Sequence, residues 1–73
     1  MLSQQIVIAL RRKYEADIDC ARANVQVYLQ YPAGVAEHPD IVTSVDNQIQ
    51  IIAEARDKLQ EIEDMEIQEI VSV

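Results

Sequence analysis

The run Tyr31-Pro32-Ala33-Gly34-Val35-Ala36-Glu37-His38-Pro39-Asp40-Ile41 decides how this chain folds, because it gathers both prolines and the single glycine into one segment. Tyr31 precedes a proline and is steered away from helical ψ, so a helix arriving from the N-terminal side ends near Gln30. Gly34 offers a backbone that can take positive φ. Pro39 suits the first turn of a helix, where its missing N–H costs nothing, with His38 at or beside the cap and Asp40 near the positive end of the dipole. Outward from this break the chain is helix-compatible in both directions. The spacing predicts a helix over 3–30, capped by Ser3, a loop over 31–38, a second helix over 39–66 and a C-terminal tail over 67–73. The expected fold class is all-α: a two-helix antiparallel hairpin, coiled-coil-like, that completes its core by homo-oligomerisation.

The second helix carries Ile41, Val45, Gln48, Ile52, Ala55, Leu59 and Ile62 in alternating steps of four and three. Such a stripe drifts by ~20° per heptad around a straight helix, which favours a left-handed supercoil against a neighbour. Gln48 is its one polar member. It either fixes the register of the seam or, more plainly, reaches to solvent at the seam's edge. Beyond Ile62 the next seam positions are Glu66 and Glu69, so the apolar rhythm stops there.

The first helix has two apolar faces when its residues are set 100° apart. A large face holds Val7, Leu10, Tyr14, Ile18, Ala21, Val25 and Tyr28, and a small one holds Ala9, Ala16, Cys20, Ala23 and Val27. Two faces ask for two neighbours. One can meet the second helix of the same chain, which leaves the other for another chain; alternatively the alanines are simply good helix formers at a surface. The expected oligomer interface is therefore Ala9, Ala16, Cys20, Ala23 and Val27 with Val45, Ile52, Leu59 and Ile62, most simply in a dimer. If the loop is centred near residue 35, Arg11, Arg12 and Lys13 lie beside Asp57 to Glu61, and Glu15 beside Arg56.

Thirteen acidic against six basic residues leave a formal net charge of −7. Nucleic acid and anionic membrane are therefore poor partners, since both need a basic footprint. The hydrophobic fraction of 49% belongs to a folded chain, and without Trp or Phe its core must be mainly aliphatic. A chain of 73 residues has room for one small domain of marginal stability. Its single cysteine and single histidine allow neither an internal disulfide nor a structural zinc site. A reducing intracellular setting is the simpler expectation. The apolar run Ile6 to Leu10 has no basic residues ahead of it and no small-residue cleavage site behind, so it reads as helix and not as a signal peptide.

Candidate chemistry is sparse. Arg11, Arg12 and Lys13 with Tyr28 and Tyr31 form a possible ligand-binding set, for example for a small cyclic nucleotide at a subunit junction; packing of the hairpin tip is the plainer role of the tyrosines. Gly34, His38, Pro39 and Asp40 read as turn and cap, with metal binding or general-base work by His38 as the alternative. Cys20, beside alanine on the small face, reads as a buried, inert thiol. The acidic end, Glu61, Glu63, Asp64, Glu66 and Glu69, sits at the negative pole of its helix. It asks for a cation, a basic partner or the basic cluster of the first helix, unless it is a solvated, frayed end. Glu-x-x-His pairs, phosphate loops and nucleophile motifs do not occur, so the expectation is no enzyme, no cofactor and no metal.

The turn 31–41, with Ala-Asn-Val-Gln-Val-Tyr-Leu ahead of it and Ile-Ala-Glu-Ala-Arg-Asp-Lys-Leu behind, resembles small helical-hairpin proteins of tailed, T4-like bacteriophages. Those carry a Gly-Val-Gly-Glu-His-Pro/Ser-Asp loop between two helices, and here Ala36 replaces the second glycine. The resemblance covers roughly residues 12–60. It implies a phage setting, in the cytoplasm of an infected bacterial host or in the virion, and brings no activity with it. The functional expectation is a non-enzymatic interaction or assembly protein, a self-associating hairpin that binds a protein partner. The alternatives are an oligomeric sponge for a small cyclic-nucleotide signal in anti-defence and an acidic inhibitor of a basic host protein.

Overall fold

The structure, a computed structural model, describes residues 4–30 and 40–71, with side chains as far as Glu66. Two helices make up the described residues, α1 (Gln4–Gln30) and α2 (Ile41–Val71), packed against each other along their length. The molecule is a rod of 56 × 18 × 14 Å. The antiparallel hairpin is as expected, with shifted boundaries: α2 begins at Ile41 and continues through Val71. Residues 67–71 therefore continue the helix. Ser3, Tyr31, Gly34, His38 and Pro39 lie outside the described residues.

The start of α2 has a specific chemical cause. Asp40 is the N-cap, its Oδ1 accepting the Thr43 backbone N–H at 2.8 Å and its Oδ2 accepting the Thr43 hydroxyl. Its carbonyl accepts the Ser44 N–H and the Ser44 hydroxyl, both at 3.2 Å. Asp40 caps the helix because a short carboxylate reaches the N–H three residues on, which otherwise has no intrahelical partner. These bonds favour the charged carboxylate and hold its pKa below the usual 3.8.

The seam between the helices is narrow. Val7, Ile18 and Ala21 of α1 and Ala55 and Ile62 of α2 are its buried residues. Leu10, Tyr14, Val25 and Tyr28 flank them on α1, half-buried, as do Ile41, Val45, Ile52 and Leu59 on α2. The large face of α1 and the heptad stripe of α2 are thus each other's partners. Gln48 is not merely solvent-facing: its Oε1 accepts Asn24 Nδ2 at 3.1 Å across the seam's edge. Lys58 Nζ lies 5.5 Å from the Tyr14 ring centroid on the facing helix, within cation–π range.

These crossings correct the expected charge pairing. Arg11 donates to Glu66 at 2.9 Å, one to two turns beyond the Asp57 to Glu61 stretch. Glu66 occupies the seam line after Ile62, whereas Glu61 sits on a different side of α2. Lys13 bonds Asp17 of its own helix at 3.3 Å. The bond from Glu66, together with its charge and those of Glu63 and Glu15, raises the Arg11 pKa. The compensation that the acidic end calls for thus comes, at Glu66, from the same chain.

Two outcomes are expected. Ile62→Ala should cost about 2–5 kcal/mol by opening a cavity in a thin core, measured by urea denaturation followed by helical circular dichroism. Because the Asp40 pKa is lower folded than unfolded, its contribution is full above the unfolded value and is lost as pH falls through the folded one. An acid titration of thermal stability should therefore show a drop below about pH 4 that is smaller in Asp40→Asn.

Candidate functional site

Among the described residues, no group of three His, Cys, Asp or Glu side chains stands together as a metal site. No helix among them is long and apolar enough to cross a membrane. What the hairpin presents instead is an apolar face.

That face lies on one broad side of the hairpin, over the half nearest the loop. Leu29, Val42 and Ile49 are 65%, 80% and 53% exposed there. Together with Ile41, Val45 and Asp46 they line an open groove of about 350 Å³ between the helix ends. A second groove of about 520 Å³ continues it down the hairpin, with Ile49 and Ile52 on α2 and Ala23, Gln26, Arg22 and Asp19 on α1. Ile49 belongs to both, so the two are one continuous surface.

Local sequence explains this surface. Val42, Val45, Ile49 and Ile52 repeat in steps of three and four and form a second ladder on α2 that shares Val45 and Ile52 with the seam. The shared residues are half-buried between the helices, and Val42 and Ile49, farther round, are left out. Leu29, Val42 and Ile49 are absent from the sequence-based site. Their spacing was the available signal, but it runs alongside the stronger seam pattern and merges with it.

The expected interface residues separate into three groups. Ala9, Ala16, Cys20, Ala23 and Val27 are all exposed and lie on the side of α1 turned away from its seam with α2. Cys20 is an exposed free thiol in the hairpin, not a buried one. Ala23 alone of this stripe reaches the groove. Val45, Ile52 and Leu59 are half-buried against α1. Ile62 is only 5% exposed, already covered within the chain, so it cannot also serve as an open contact for another copy.

The proposed ligand set does not assemble within one chain. Arg11, Arg12 and Lys13 are consecutive and therefore point ~100° apart around α1. Arg11 is engaged with Glu66 and Lys13 with Asp17. Tyr28 stands about 24 Å farther along the helix at 1.5 Å per residue. Tyr31 lies outside the described residues, as do Gly34, His38 and Pro39, while Asp40 is the helix cap.

An expected outcome tests the Asn24–Gln48 contact as a register device. Asn24→Leu would leave the Gln48 amide without its partner at the seam's edge, and helical content should persist while unfolding becomes less cooperative. Comparing denaturation slopes of the variant and the parent chain would check this.

Comparison with known protein families, characterised proteins and solved structures returns no match to this chain.

Proposed function

We propose that this chain is a non-enzymatic interaction protein, a helical hairpin that works by associating with its own copies and with a protein partner. The observation that carries this reading is the excess of exposed surface, large aliphatic side chains among it. The chain exposes 5768 Å², where a folded globular chain of its mass exposes about 4,600 Å². Its radius of gyration of 16.6 Å exceeds the ~11 Å of a compact chain of this length. Both follow from a core one seam deep.

Part of the surplus is gathered in one place, the rest being spread over Ile6, Ile8, Val27, Ile51 and Met65. Leu29, Val42 and Ile49 share one face, and covering the exposed half of a large aliphatic side chain contributes about 1 kcal/mol. Several such residues covered together supply what the thin seam lacks. The phage-type loop resemblance makes the setting an infected bacterial cell or a virion, with an assembly component or a host protein as the second partner. Between this reading and a nucleotide sponge, the dispersal of Arg11, Arg12 and Lys13 around α1 favours protein binding.

Sedimentation velocity across the micromolar range is the test. A concentration-dependent dimer is expected, and Ile49→Asp should move it to monomer while helical circular dichroism is retained. A fully helical monomer of the parent chain throughout that range would overturn the reading. Affinity capture of the tagged chain, with Ile49→Asp as the control bait, should lose its partner together with the apolar face.

A further inference from the structure

Resting on the self-association just proposed, we infer that the groove face is the contact between two copies and that the copies stack with their loop ends at the same pole. The occupant of the groove is a second hairpin, related by a two-fold axis that runs along the rod. Each α1 then lies over the partner copy's α2 at the same height.

Charge and apolar placement select this orientation. Down the groove face from Leu29, α1 carries Gln26, Arg22, Asp19, Glu15 and Arg12, while α2 carries Val42, Val45, Ile49, Ile52, Arg56 and Glu63. The face is more apolar toward the loop, where Asp46, Arg22 and Asp19 are its charged members, and more charged toward the open end, where Ile8 is exposed. The cross-seam contacts Asn24–Gln48 and Tyr14–Lys58 set the register, and it puts Glu15 and Asp19 level with Arg56, and Arg12 near Glu63. All five of these charged residues are exposed. With loop ends together, Leu29 and Ala23 of one copy cover Val42 and Ile49 of the other. Arg56 then faces Glu15 and Asp19 across the interface, and Arg12 faces Glu63. Full overlap with loop ends opposed would instead lay the apolar half of each face on the charged half of the other, desolvating charges against aliphatic side chains.

Relative to a compact chain, each hairpin carries roughly 1,200 Å² of surplus surface, and a standard interface takes about 800 Å² from each partner. Apart from Ala23, the small-residue stripe of α1 stays outside this contact. Cys20 therefore remains exposed in the dimer.

Leu29 stands close to the two-fold axis, so its self-proximity reports the orientation. In the full chain with Cys20→Ser, Leu29→Cys should form a disulfide-linked dimer under mild oxidation, read on a non-reducing gel and by sedimentation. With loop ends opposed, the two sulfurs would be some 30 Å apart at 1.5 Å of rise per residue, and no link would form. Preferential linking of Leu29→Cys chains to Ile8→Cys chains would overturn the orientation and leave self-association standing. A parent chain that is monomeric throughout would overturn both.

A second measurement does not depend on the Leu29 side chain. Mixing Arg56→Glu chains with chains carrying Glu15→Arg and Asp19→Arg should give heterodimers favoured several-fold over either homodimer, a preference that added salt removes. The statistical mixture at low salt, with heterodimer at only twice the amount of each homodimer, would overturn the proposal. Native Cys20 should react with a thiol reagent at the same rate above and below the dimerisation concentration. Protection on dimerisation would place the small-residue stripe in the interface and overturn the assignment.

Discussion

The structure depends on a close approach of two helices along a seam that is only one residue wide. At its middle, the most deeply buried residues are Ala21 and Ala55, at 1% and 3% exposure. Small side chains at a helix contact allow the axes to come close, since separation is set by the residues that meet there. They also bury little area. Ile18, between the levels of those alanines, and Val7 and Ile62, toward the open end, supply the larger apolar volume.

From this thin core the rest follows. The conformational entropy of ordering two long helices is large, and a single narrow stripe of buried aliphatic residues offsets it poorly. Polar contacts at the edges orient the pair more than they stabilise it. Asn24 with Gln48, Lys58 with the Tyr14 ring, and Arg11 with Glu66 are spaced along the rod and together define one register. The Arg11–Glu66 bond also answers the charge at the acidic end, where the seam runs out of apolar residues and a carboxylate takes the next seam position. Its two partners are each about a third exposed, so solvent weakens the pair and its role is one of alignment.

The two broad sides of the hairpin are unlike. One carries Asn24, Gln48, Lys13 and Asp17, hydrogen-bonded among themselves, with Lys58 over Tyr14. The other holds the continuous groove that passes from Leu29 and Val42 to Ile52 and Asp19. This asymmetry is one of continuity, since Ile6 and Ile51 are also exposed, outside the groove. It arises because the α2 ladder is wider than the face that α1 can cover, leaving Val42 and Ile49 beyond the seam's edge.

The sequence by itself determined the hairpin: both prolines and the one glycine fall in a single break, and the large face of α1 and the Ile41–Ile62 stripe of α2 are legible from spacing alone. These are local matters, settled by backbone sterics and by helical period. It did not decide how far each helix is rotated about its own axis, and on α2 two overlapping apolar ladders share Val45 and Ile52. Only packing against α1 settled which ladder faces inward, leaving Val42 and Ile49 exposed, Ile62 covered and Cys20 on the outer side of α1. The cap at Asp40 and the reach of Arg11 to Glu66 belong with these, because each turns on distances of an ångström or two that residue spacing does not resolve.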